Sequence, residues 1–117
     1  MTKLKSVSLA LALLLCGAFT VLHHGWADYD QTKPTDFKAK IEELTYENPH
    51  VLAKVKYNKE MTTVYLAPVT RMESRGLNQD MVKKGTTIRF VAYPHKTEKN
   101  EMRAERIFVA DEKFELR

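Results

Sequence analysis

The stretch Phe37-Lys38-Ala39-Lys40-Ile41-Glu42-Glu43-Leu44-Thr45-Tyr46 decides the fold. Its apolar residues alternate at Phe37, Ala39 and Ile41, then resume at Leu44 and Tyr46 in the opposite phase. Alternation with period two marks a half-buried strand, and a one-residue slip inside it marks a bulge that re-aims the side chains. Asn48-Pro49 breaks this strand. A second run follows, with Val51, Ala53, Val55 and Tyr57 on one face and a turn at Asn58-Lys59-Glu60. Thr62 to Ala67 reads as a third strand, β-branched and aromatic, and Pro68 stops it.

Beyond Pro68 the period changes. Met72, Leu77, Met81 and Val82 recur at helical spacing around Gly76, and Asn78 is placed to N-cap a short turn through Lys83. Thr86 to Tyr93 is strand-like again. A polar loop from Pro94 to Asn100 leads to Met102 to Ala110, and a last short strand spans Lys113 to Leu116. Three strands, one short helix and two more strands, the first long and bulged, is the order of an all-β, OB-like five-stranded barrel, with a generic curled sheet or split barrel as runner-up. Ile41, Val55, Val64, Leu66, Ile88, Phe90 and Ile107 are its expected core.

The 117 residues suit one domain. Residues 1–22 are expected to be a signal peptide, 23–35 an N-terminal segment and 36–117 the barrel. Lys3 and Lys5 precede an apolar run from Val7 to Leu22 that His23 and His24 end, shorter than the about 20 apolar residues a membrane helix needs. Export to the periplasm is therefore expected, with no stable membrane insertion after cleavage. Small residues suitable for cleavage occur at Cys16-Gly17-Ala18 and again at Gly25-Trp26-Ala27, which sets the cut between 18 and 27.

Charge and composition exclude several functions. The formal net charge is +4, but without the two leader lysines 17 basic side chains face 15 acidic ones, no footprint for nucleic acid. Cys16 is the only cysteine and Ser74 the only serine after the leader, so a nucleophilic enzyme is disfavoured and no disulfide framework exists. A non-enzymatic binding module is the expectation.

Four histidines carry the sharpest chemical signal. His23-His24-Gly25-Trp26 opens the exported region, Asn48-Pro49-His50 joins strands one and two, and Tyr93-Pro94-His95 follows strand four. In an OB topology the loops after strands one and four flank one ligand-binding face. Neutral imidazole suits copper or zinc, so His24, His50 and His95 form a candidate metal site. The bland reading leaves them as polar loop residues. The other candidate is a metal-free face on which Trp26, Tyr93, Arg71 and Asn48 grip a small organic ligand or an envelope protein. A lone tryptophan after a leader also pins an N-terminal segment to its barrel.

These pieces, together with Arg71-Met72-Glu73-Ser74-Arg75-Gly76-Leu77 and Met102-Arg103-Ala104-Glu105-Arg106-Ile107, resemble an uncharacterised family of small exported bacterial proteins, a domain of unknown function. The resemblance runs from about His23 to the end of the chain. It implies export and a compact OB-like domain, and brings no established activity.

Overall fold

A computed structural model describes residues 25–117; the expected signal peptide, and with it His23 and His24, lies outside the described residues. Six strands are present among them: β1 (Thr35–Thr45), β2 (Leu52–Tyr57), β3 (Glu60–Tyr65), β4 (Thr87–Pro94), β5 (Glu101–Val109) and β6 (Glu112–Glu115). They form one sheet in the order β3-β2-β1-β4-β5-β6, and a parallel pairing of β3 with β5 closes it. β4 runs along one edge of β5, while the other edge is shared between β3, at residues 101–103, and β6, at residues 106–109. The closed part is a five-stranded mixed barrel of OB-like topology, with β6 as a short extension.

The slip in the first strand is where alternation puts it. The β1–β2 register shifts between Ile41 and Glu43, so Glu42 is the extra residue, and Leu44 and Tyr46 still pack against the core beside Ala39 and Ile41. All seven expected core residues are at most 1% exposed. Asn58 and Lys59 both have positive φ, as a two-residue turn compatible with strand twist requires.

The region between β3 and β4 holds the expected short helix, and the turn that Asn78 caps is a separate element. A regular helix, α1 (Val69–Ser74), starts directly after Pro68, and a separate 3₁₀ turn spans Gln79–Val82. Proline suits a helix start because its missing N–H is needed by no intrahelical partner there. Gly76, at φ 91°, ends α1: its N–H bonds to Glu73 O and the Leu77 N–H to Met72 O, both at 2.9 Å. That pair of bonds with buried Met72 against buried Leu77 is a Schellman ending. Asn78 does cap the 3₁₀ turn, its side chain accepting from the Met81 N–H at 3.1 Å.

Candidate binding site

The N-terminal segment lies across the outside of the barrel. Asp30 N–H donates to Pro94 O at 2.8 Å and Lys96 N–H to Asp28 O at 2.9 Å, while Tyr29 bridges to His95 in antiparallel fashion. The Tyr29 hydroxyl adds a 2.7 Å bond to Glu101. This fastening sets Trp26, in a 3₁₀ turn over Trp26–Asp28, near the end of β4. The indole meets Tyr93 edge-on at 6.1 Å. It is also flanked by two guanidiniums, Arg103 at 4.2 Å and Arg117 at 4.3 Å from the ring centroid.

Arg103 is the centre of this arrangement. Its register partners are Tyr65 on β3 and Tyr93 on β4, so one row across three strands reads tyrosine, arginine, tyrosine. It points away from the core, because its neighbours Met102 and Ala104 point in, yet it is only 8% exposed. Among the described residues its Nε has no hydrogen-bond partner. The acids two positions away are committed elsewhere. Glu101 accepts from Tyr29 and lies 3.8 Å from His95 Nε2. Glu105 accepts from the Tyr93 hydroxyl at 2.8 Å and lies 3.6 Å from both Arg106 and Arg117. Burial lowers the Arg103 pKa, Tyr29 opposes that shift, and the positive charges of Arg71 and Arg117 add to it. Arg71, on α1, reaches Leu116 O at 3.4 Å, which brings the helix to this side of the barrel.

The histidines are arranged differently. His50 is half-buried in the β1–β2 loop, its ring 6.1 Å from that of Tyr65. His95 packs edge-on against Tyr29 at 5.1 Å. Each loop sets its histidine against a tyrosine ring, His50 against Tyr65 and His95 against Tyr29. His95 Nδ1 accepts from the backbone N–H of Thr97 at 3.1 Å and of Glu98 at 2.9 Å. An accepting Nδ1 puts the proton of a neutral ring on Nε2, whereas a ligating histidine ordinarily donates from the nitrogen that does not bind metal. Among the described residues no three His, Cys, Asp or Glu side chains are grouped to hold a metal ion. Asn48 accepts from the Val69 N–H at 3.1 Å, holding the β1–β2 loop to the start of α1.

The model of a family of unknown function, DUF6152, matches residues 12–103. The chain belongs to DUF6152. No curated protein and no solved structure matches it. The matched stretch of this DUF6152 chain holds Trp26, Tyr29, His50, Arg71, Tyr93 and His95 and ends at Arg103, so Arg117 lies beyond it.

Trp26, Tyr93 and Arg71 are recognisable in the sequence by residue type, whereas nothing local in the sequence singles out Arg103, Glu105, Glu101 or Arg117. Arg103, Glu105, Ile107 and Val109 alternate as one face of an unbroken strand, and the opposite face is equally mixed. The structure resolves this with a second bulge: Ala92 pairs with Ala104 and Val91 with Arg106, which makes Glu105 the extra residue. Met102, Ala104 and Ile107 point inward and Arg103 outward as a result.

Proposed function

We propose that this DUF6152 chain is a non-enzymatic binding module exported to the periplasm, which takes a small organic ligand or a segment of an envelope protein on the outer face of β4 and β5. The observation that carries this reading is the assembled aromatic and cationic surface: Trp26 flanked by Arg103 and Arg117, with Tyr93 against its edge. Ligand sites combine flat apolar surface with a few placed polar groups, and tryptophan with arginine is the pairing that dominates binding hot spots. Immobilised protein challenged with an envelope extract tests it. Trp26→Ala should weaken capture of the bound species, and a chelator wash should leave capture unchanged.

A copper or zinc site built from His24, His50 and His95 is the second reading. It is supported by the OB topology, which sets the His50 and His95 loops beside one face, and by Glu101 lying 3.8 Å from His95 Nε2. Ligation through His95 Nε2 requires its proton to leave and the two backbone bonds at Nδ1 to rearrange. Metal analysis of protein purified without a histidine tag separates the readings: stoichiometric copper or zinc, lost in His50→Ala and His95→Ala, would establish this one.

A further inference from the structure

We infer that Arg103, with Arg71 and Arg117 beside it, is the receptor for an oxyanion, a carboxylate or phosphate group on the ligand. This deepens the proposed binding face and rests on it. Guanidinium keeps its charge at any physiological pH, so burial cannot neutralise Arg103 as it could a lysine. A buried charge is ordinarily paired and hydrogen-bonded. Here the charge is buried, Nε is without a partner among the described residues, and the acids on either side, Glu101 and Glu105, bond to tyrosine hydroxyls instead. Two more arginines add positive potential rather than relieve it. Arg71 bonds a carbonyl, Leu116 O, and is in no ion pair among the described residues.

The complement of such a group is a planar or tetrahedral oxyanion, which guanidinium meets with two parallel N–H donors. The cover over Arg103 is light. Trp26 belongs to a three-residue turn without a buried residue and without a side-chain cap bond. Arg117 is exposed and is held by Gln31 at 2.8 Å and Glu105 at 3.6 Å. An anion that displaces the indole face exchanges a cation–π contact for a charge-assisted hydrogen bond, the stronger of the two. Trp26 and Tyr93 then offer ring surface to the rest of the ligand, and a cationic ligand is repelled.

Trp26 is the sole tryptophan, so its fluorescence reports on this site alone. The full chain is titrated with sodium phosphate and, separately, sodium acetate, with chloride holding ionic strength constant. A saturable fluorescence change is expected from at least one of them, and the preferred anion shows whether the ligand group is phosphoryl or carboxylate. Arg103→Gln should weaken the response about tenfold or more. Arg71→Gln, an exposed change on α1 that leaves the barrel core untouched, should weaken it less and keeps the test valid if Arg103→Gln fails to fold. Indifference to both anions, a response that chloride reproduces, or unchanged titration in the variants would overturn the inference. If phenol alters the fluorescence saturably while neither anion does, the oxyanion assignment falls and the binding face stands.

Discussion

The Tyr29 hydroxyl donates to Glu101 Oε2 at 2.7 Å, joining residues 72 positions apart and fixing the N-terminal segment to the strand that carries Arg103. Burial, foremost, and then the bond to Glu101 push the Tyr29 pKa up. Burial also raises Tyr46 and Tyr65, and the bond to Glu105 followed by burial raises Tyr93. In the unfolded chain these phenols ionise near about pH 10. Above that pH the folded state holds more protons than the unfolded one, so stability falls as pH rises. The contribution is complete below about pH 10 and is lost as pH climbs toward the folded values. Melting temperatures should therefore hold steady from about pH 8 to about pH 9 and fall as pH rises through about 10 to about 11, and Tyr29→Phe should flatten that fall while lowering stability at neutral pH by about 1 kcal/mol.

At the proposed site Arg103 is expected to set stability against binding. Replacing a buried, poorly compensated charge by an apolar side chain of similar length removes its desolvation penalty, and such exchanges have stabilised other proteins by about 1 to 4 kcal/mol. Arg103→Met is expected to raise the melting temperature and to abolish the fluorescence response to anions. A lower melting temperature would instead assign Arg103 to holding Trp26 in place.

Much of the architecture was legible because its devices are local. The bulge in β1 shows as a phase slip between Ile41 and Leu44, since only one face there is apolar. The bulge at Glu105 is silent: residues on both faces of β5 mix apolar with charged side chains, so either phase gives an acceptable strand. The short helix between Pro68 and Gly85 was legible from Met72, Leu77, Met81 and Val82, but its division into α1 and a separate 3₁₀ turn was not, because α1 buries only Met72 and cannot show a period by itself. The site was half legible for a related reason. Trp26, Tyr93 and Arg71 announce themselves by residue type, but what distinguishes Arg103 is burial without a carboxylate, and that arises only when Trp26 folds over β5 from a distant part of the chain.

The core should respond sharply. Phe90 is fully buried and stacks on Phe37 at 5.3 Å, and Ile88 is equally enclosed. Truncation of either to alanine removes that burial and leaves a cavity, at a cost of about 2 to 5 kcal/mol. Denaturant melts measure it. A cost under about 1 kcal/mol would mean the barrel interior relaxes more freely than close packing allows.

The turn between β5 and β6 offers the opposite outcome. Ala110 and Asp111 have φ of 50° and 67°, the left-handed region where Cβ crowds the following carbonyl. Asparagine tolerates this conformation and is favoured at the first position of such a turn. Ala110→Asn is expected to stabilise the domain by about 0.5 to 1 kcal/mol with no effect on anion titration, measured by the same melts.

The place of Trp26 also bears on export. Of the two cleavage positions that small residues offer, a cut after Ala27 would remove the indole that Arg103, Arg117 and Tyr93 contact, and with it the Gly25 carbonyl that accepts from the Asp28 N–H at 3.1 Å. Arg103 would then lose its cover and a cation–π contact of about 0.5 to 2 kcal/mol. A cut near Ala18 keeps every one of these contacts. Protein recovered from the cell envelope should therefore have an intact mass that lacks the leader through about residue 18 and retains Trp26. Its fluorescence should be that of a tryptophan-containing chain. A mass beginning at Asp28 would remove the indole from the functional protein and move the ligand site to Tyr93, Arg71 and an uncovered Arg103, and a full-length mass in the membrane fraction would show the leader to be an uncleaved anchor.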